Sequence, residues 1–523
     1  MWDFVVVGAG SAGCVLANRL SSDPKRKVML IEAGPAHHRS FKVRAPGLYQ
    51  TLWRTPLDWA FSTEPQAHSA DRKHFWPRGK VLGGTSCLNA MIYIRGHRSN
   101  YDAWGIPGWS YKDVLPYFRR SEDNVRGASE YHGAGGPLAV TDHVPSAFAK
   151  AFVEATASRC KVPITDDFNG AEQEGAGHYQ VTSRGGKRAS TATAFLDPIR
   201  KRSNLTVLTG ALATSLVLDG TRVTGVRVRV KGSEQTIWGR EIIVTGGAIG
   251  SPHLLMLSGI GMGSELRAAG VEPRHELSGV GKHLEDHLLT GVMFEASGAR
   301  KLSVPNLLGW MARHAVSGGG PLASAPVDGG AFVRSSPSAP IPDIQFHVTP
   351  WGVGLPTDAK RDPVFGKFAT ILPGLIYPRS HGEVRLRSAD PAAAPMIDPR
   401  YLQDPADLDH LVAGVKLTRE IAATGALAAL LGKEVFPGLS VASDEALRAN
   451  VRASCNTIFH PTGTCRMGTD DGAVVDPDLR VRGLQGLRIA DASVLPRIIG
   501  GNTNAPVIMI AEKAADLLLE TVL

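Results

Sequence analysis

The sequence predicts an α/β plus α+β molecule. We expect a discontinuous, Rossmann-like nucleotide-binding domain with a second domain inserted in it, built on an antiparallel sheet flanked by helices. Three observations point there. A buried strand at the very start runs into a glycine-rich turn and a helix. Buried strands of the same type return near 241–248 and 487–491. Between about 306 and 390 the strands change to an alternating, antiparallel texture.

The first unit is Phe4-Val5-Val6-Val7-Gly8-Ala9-Gly10-Ser11-Ala12-Gly13, followed by the strand Val28-Met29-Leu30-Ile31-Glu32. Each glycine has a separate task. Gly8 permits a tight turn, Gly10 lets backbone amides approach a pyrophosphate, and Gly13 lets the helix pack close on the strand. The helix N-terminus at Ser11 and Ala12 then presents its positive dipole end to the phosphates. Glu32, with Ala33 behind it, stands about 20 residues past the last glycine, where an acid accepts ribose hydroxyls. Strand, glycines, helix, strand and acid in register predict an adenine dinucleotide ligand.

Residues 36–110 are rich in Pro, Gly, Trp and Arg and read as irregular cover over that ligand. Strands are expected at Asn204–Leu208 and Val223–Val230, and a buried strand over Glu241–Val244 ends in glycines at a helix start. The segments Asp343–Thr349 and Gly382–Arg387 alternate between one apolar and one polar face. After Asp404-Pro405, which suit a cap and first turn, Leu408, Leu411, Val412 and Val415 share a helical face. The chain closes with the strand Leu487–Asp491 and a helix over Val507–Leu523.

Composition sets bounds. The chain has 523 residues, enough for two or more domains, with 43% hydrophobic and 20% charged residues. A net charge of +8 without any long basic run argues against nucleic-acid binding, while leaving room for peripheral contact with an acidic membrane surface. Cys14, Cys87, Cys160, Cys455 and Cys465 are odd in number, widely spaced and form no CxxC, so neither a disulfide framework nor a zinc site is expected. With no metal, no leader before Phe4 and no long apolar stretch, the expected location is the cytoplasm.

Four further stretches carry chemistry: Gly79–Asn89, Gly247–Gly261, Phe459–Gly468, and Asp491-Ala492-Ser493 with Gly500–Pro506. On these, the chain resembles the glucose–methanol–choline oxidoreductases, and within them choline dehydrogenase-type alcohol dehydrogenases. The Gly79–Asp102 and Gly247–Gly261 blocks match the family's two signature patterns. The resemblance implies FAD as cofactor and refines the domains: an FAD-binding domain over 1–155, 196–300 and 456–523, and a substrate domain over 156–195 and 301–455.

The same resemblance implies roles for individual residues. Gly8, Gly10, Gly13 and Glu32, with Ser11, Ala12 and Ala33, would hold the ADP half of FAD. Gly84, Thr85, Ser86 and Asn89 would lie against the flavin and pyrophosphate. Asp491 and Ala492 would contact the pyrophosphate and ribityl side, Ala213 the adenine, and Asn502 with Thr503 the flavin end. Hydride passes from an alcohol carbon to flavin N5 while a histidine takes the hydroxyl proton. His460 stands at the position of that histidine and Asn502 at the position of its partner, with Asn504 as the rival. Leu88 occupies a position where some members link FAD covalently through histidine, so the cofactor is expected to be non-covalent.

The chemistry is sound without the family. An alcohol is a poor hydride donor until its proton is leaving, and a histidine suits that task at neutral pH. An amide can hold the same oxygen without competing for the proton. The expected reaction is oxidation of a primary alcohol to an aldehyde, with electrons passing to a quinone-like acceptor. An oxygen-using oxidase and a hydroxynitrile-lyase-type enzyme with an idle flavin are the alternatives. A flavin-binding module without chemistry is disfavoured by the presence of both His460 and Asn502.

Specificity is less legible. Gln345 and His347 could reach a substrate and Trp351 could wall a pocket, but a solvated face with one core aromatic is the favoured reading. Asp328 could pair with a cationic substrate, although a lone loop carboxylate is usually solvated. The segment Lys301–Arg313 reads as a surface helix, with a lid or membrane contact as the alternative. The loop Gly279–His287 departs from the family pattern at His283 and Glu285 and is expected to be structural or cofactor cover. The sequence does not indicate an oligomeric state.

Overall fold

The computed structural model describes residues 1–297, 303–353 and 367–521. Two sheets organise it. The first has seven strands in the order Leu205–Thr209, Val28–Glu32, Trp2–Val7, Ser233–Val244, Arg222–Val230 and Ala211–Asp219, with Leu487–Ile489 also pairing on Ser233–Val244. Its halves differ. Leu205–Thr209, Val28–Glu32, Trp2–Val7, the C-terminal half of Ser233–Val244 and Leu487–Ile489 run parallel. The strands Ala211–Asp219, Arg222–Val230 and the N-terminal half of Ser233–Val244 form an antiparallel meander. One long strand therefore serves both halves. Val28–Glu32 is buried throughout, as continuous apolar runs in parallel sheets are.

The helix Ser11–Leu20 packs against the C-terminal helix Asn504–Thr521. The latter starts earlier than the expected Val507, and Val522 and Leu523 lie outside the described residues. Among the described residues no helix is long and apolar enough to cross a membrane. All five cysteines are free thiols.

The second sheet has nine strands in the order Leu431–Phe436, Val292–Ala296, Phe368–Leu375, Ile344–Thr349, Gly329–Val333, Gly175–Gly177 and Ile164–Thr165. Leu288–Leu289 pairs with both Phe368–Leu375 and Asn456–Thr457. The helices Ala147–Cys160 and Pro405–Ala422 pack on this sheet. Asp404 caps the second of them, its side chain accepting from the Ala406 N–H, and Leu408, Leu411, Val412 and Val415 are buried as their spacing implies.

Several expectations need correction. The boundary at 155 falls inside the helix Ala147–Cys160, which packs on the nine-stranded sheet. Leu288–Leu289, Val292–Ala296 and Asn456–Thr457, expected with the nucleotide domain, are strands of that same sheet. A strand cannot be assigned to a domain from its own residues, because its partners are distant in sequence. The segment 382–387 yields the short strand Glu383–Arg385, which pairs with Met396–Asp398 in a separate ribbon.

The strand Ile344–Thr349 alternates in residue type but is buried on both faces. Phe346 meets Phe152 of the covering helix with ring centroids 5.8 Å apart. Gln345 and His347, read as a solvated face, are instead 0% and 3% exposed. Of the Lys301–Arg313 segment, 301 and 302 lie outside the described residues, and the rest belongs to the helix Val304–Ser317 and its cap Ser303.

Candidate active site

A cavity of about 450 Å³ runs from the glycine turn to the edge of the nine-stranded sheet. Gly8, Gly10, Ser11, Ala12, Glu32 and Ala33 line one end. Gly8 has φ +109°, and a Cβ there would stand 2.6 Å from the Thr245 carbonyl oxygen. Gly13 does not line the cavity. A Cβ on it would stand 1.9 Å from the Gly8 carbonyl oxygen, so its role is the close helix–strand approach. The helix Ser11–Leu20 begins at Gly10 without a side-chain cap. Uncapped N–H groups at a helix N-terminus are an anion site.

Glu32 is buried, and burial raises its carboxyl to about 7. Its Oε2 accepts from the Ala9 N–H at 2.9 Å and its Oε1 from the Gly34 N–H at 2.8 Å. The acid thus braces the turn while bordering the cavity. Ala213 also lines this end, beside a register shift between Ala213 and Ser215 that interrupts the strand ladder.

Along the middle, Gly84, Thr85, Asn89, Asp491, Ala492 and Thr503 line the cavity. Two of the expected residues have side chains bonded within the protein. Ser86 is engaged elsewhere, its Oγ donating to the Gly83 carbonyl at 2.6 Å and lying 3.0 Å from Thr191 Oγ1. The Asp491 carboxylate accepts from the Gly247 N–H at 2.8 Å, Ser251 Oγ at 2.5 Å, and the N–H and Oγ of Ser493 at 2.8 and 2.6 Å. It ties down the start of the helix Gly247–Leu257. Leu88 lines the cavity where covalent attachment would need a nucleophile, and a hydrocarbon side chain has none.

At the far end stand His460 and Asn502. Asn502 Nδ2 lies 3.3 Å from His460 Nε2. Because the amide nitrogen only donates, Nε2 is assigned as the unprotonated nitrogen. Nδ1 of His460 lies 2.9 Å from Nδ1 of His287, the rings meeting edge-on at 87°. Gln345 Nε2 donates to Asn502 Oδ1 at 3.2 Å. Asn504, the rival amide, instead accepts from Ser11 Oγ at 2.7 Å, at the glycine-turn end.

The backbone around His460 is held as tightly as its ring. The His460 N–H donates to Asp286 Oδ1 at 2.7 Å, and Tyr401 and Thr457 donate their hydroxyls to Asp286 Oδ2. Leu288 and Thr457 are strand partners, and the Ile458 N–H donates to the His287 carbonyl at 3.0 Å. The loop Gly279–His287 is therefore more than cover: it buttresses the histidine. Its unusual Glu285 accepts from the Ile498 N–H at 2.6 Å, tying down the segment that leads to Asn502.

Burial, with His287, His347 and Arg78 nearby, holds His460 well below the usual histidine range. Burial likewise lowers His287 to about 3 and His347 to about 4. All three are neutral at pH 7, and His460 is an unprotonated base facing a cavity.

Sequence reasoning missed His287 as a ring partner and underrated Gln345 and His347. Gln345 holds Asn502, while His347 and Trp351 line the cavity. Asp328, offered for a cationic substrate, is fully buried and accepts from His143 Nε2 at 2.9 Å and the Ser146 N–H at 3.2 Å.

Comparison with known proteins identifies the family. The family models of the GMC oxidoreductase N- and C-terminal parts match residues 2–289 and 378–511. The chain is 42% identical to an alcohol dehydrogenase [acceptor] of Pseudomonas putida over 100% of this chain and 96% of that protein. It is also 42% identical to the mitochondrial choline dehydrogenase of Homo sapiens, over 99% and 89%. Its structure is similar to pyridoxine 4-oxidase from Mesorbium loti, with TM-score 0.90, 35% identity and 99% of each chain covered. Formate oxidase of Aspergillus oryzae, a variant described for its FAD modification, gives TM-score 0.92 at 27% identity, covering 99% of this chain and 98% of that one.

The uncapped helix N-terminus, the turn that excludes a Cβ and the long cavity fit FAD, held without a covalent link at Leu88. The chain belongs to the GMC oxidoreductase family of FAD enzymes acting on CH–OH donors.

Proposed function

We propose that this chain oxidises a primary alcohol to an aldehyde, with His460 as the base, and passes the electrons to a quinone-like acceptor. The carrying observation is the neutral, buried His460 with its unprotonated Nε2 toward the cavity and Asn502 Nδ2 beside it. Bound FAD supplies the hydride acceptor at N5. His460 Nε2 takes the hydroxyl proton as the carbon–hydrogen bond weakens. Asn502 donates to the same oxygen, where a hydrogen bond strengthens as negative charge develops. His287 Nδ1 accepts from His460 Nδ1–H, which fixes the tautomer that leaves Nε2 unprotonated, with Asn502 Nδ2 as its donor until a substrate hydroxyl takes that place.

We assign the ADP end to Gly8, Gly10, Ser11, Ala12, Glu32 and Ala33, with the adenine beside Ala213. Gly84, Thr85, Asn89, Ala492 and Thr503 are placed along the middle.

The substrate end favours an uncharged alcohol with an apolar body. Leu289, Val327, Leu372, Ile458 and Trp351 line it. Among the described lining residues the only carboxylates are Glu32 and Asp491, both engaged at the cofactor end. The Pseudomonas putida relative is named an alcohol dehydrogenase with an unspecified acceptor, which supports the dehydrogenase reading.

An anaerobic screen of primary alcohols tests this reading. An apolar primary alcohol should bleach the flavin, and a quinone analogue should restore the colour faster than oxygen does. Recolouring by oxygen at least as fast would make the enzyme an oxidase. No bleaching by any alcohol would overturn the reading.

A further inference from the structure

We propose that the helix Val304–Ser317, with the adjoining segment 41–44, is a docking surface for an anionic lipid bilayer. A surface helix ordinarily buries one apolar stripe and turns charged residues outward. This one is apolar on both sides. Its inner face, Leu307, Trp310 and Met311, packs on a cluster of Ala45, Leu48 and Leu322. Its outer face carries Val304, Leu308 and Val316 in helical register, exposed by 60%, 61% and 90%. Phe41, 40% exposed, borders the inner face, packing edge-on against the buried His314 at 5.8 Å.

The exposed charged residues named here have one sign. Lys42, Arg44, Lys187 and Arg313 are exposed. Burial lowers the basicity of His314, and Lys187 and Arg44 are close enough to add to that. Neither 36–57 nor 303–327 contains an Asp or Glu. An apolar stripe rimmed by unopposed cations matches an anionic membrane interface, where side chains enter the acyl boundary and Lys and Arg meet headgroups. A soluble partner would have to supply both an apolar groove and an acidic rim.

The face also adjoins the cavity. Leu48, on which the helix rests, lies in the turn Pro46–Leu52, and Tyr49 of that turn lines the cavity, as does Trp53 directly after it. The proposal does not depend on the reaction proposed above, because membrane binding is read without turnover.

Flotation of the holoenzyme tests it, with phosphatidylcholine vesicles and vesicles containing phosphatidylglycerol. Wild type should float with the anionic vesicles, more weakly with the neutral ones, and less as salt is raised. Leu308→Asp and Val316→Asp should each lower the anionic partition by about tenfold or more. Flavin content and alcohol-to-dye turnover should be unchanged, since neither residue lines the cavity. Three outcomes would overturn the proposal: no flotation of wild type, equal flotation with both vesicles, or undiminished flotation of the variants. So would a wild-type dimer in light scattering that Leu308→Asp converts to monomer, since a second copy would then cover the face.

Discussion

The two ends of the cavity are built on opposite principles. The nucleotide end is local: Gly8, Gly10, Gly13 and Glu32 fall within one strand–turn–helix–strand unit, and its steric demands are backbone demands. The catalytic end is assembled: His287, Gln345, His460 and Asn502 come from four remote segments and meet through side-chain hydrogen bonds. A local device should fail when its backbone is crowded. An assembled one should fail gradually, as each link is cut.

The largest effect expected on the local side is from Gly13→Ala. Its Cβ would stand 1.9 Å from the Gly8 carbonyl oxygen, with rigid backbone on both sides. Overpacking of this kind costs about 1–3 kcal/mol or more, and here it distorts the turn itself. The melting temperature and the flavin-to-protein ratio should both fall. A Gly13→Ala protein with a full complement of FAD and wild-type stability would remove the steric argument.

Glu32→Ala is the milder test. Losing one charge-assisted hydrogen bond costs about 1.5–3 kcal/mol, or about one to two decades of FAD affinity. FAD titration of the apoprotein reads this directly. Because the site is local, flavin reduction should be near wild type once FAD is restored.

On the assembled side, Asn502→Ala should slow flavin reduction by about 1–3 kcal/mol, roughly fivefold to a hundredfold, with FAD retained. Gln345→Leu cuts the link behind it and leaves Asn502 Oδ1 without its donor. That should cost about 1 kcal/mol in the same rate. If Gln345→Leu proved slower than Asn502→Ala, the order of links in the chain would be wrong.

The smallest effect is one of pH. His460 lies well below its ordinary range, so protonation begins only in acid. A base lost on protonation gives a rate that is flat where the base is neutral and falls as pH drops through its pKa. Flavin reduction should therefore be level from about pH 8 down to about pH 6.5. Half the rate lost by about pH 7 would mean that His460 is not desolvated as described.

The same contrast explains what could be read from sequence. The first unit was legible because spacing alone dictates its geometry, and the helix after Asp404 because its apolar period is regular. His460 and Asn502 were reached through resemblance, since one histidine before a proline names no function. The partnership of His287 with His460 depends on pairing between Leu288 and Thr457, and no local pattern records it. Gln345 and His347 alternate as a solvated strand would. Gln345 is covered by Tyr179 and Asn502, while His347 lines the cavity. Asp491 borders the cavity and Ser86 follows Thr85 there, but the hydrogen-bond partners of both turn them to structural work.

The central claim is that His460 moves the proton while its neighbours hold it in place. Stopped-flow bleaching of the flavin by a good alcohol substrate, measured anaerobically for wild type, His460→Ala and Asn502→Ala, tests it most directly. Loss of a general base costs about 10²–10⁴ in rate. His460→Ala should therefore fall well below Asn502→Ala, keep its yellow FAD, and recover partly as rising pH lets hydroxide replace the base. Near wild-type bleaching by His460→Ala at neutral pH would contradict the account and move the proton to another group.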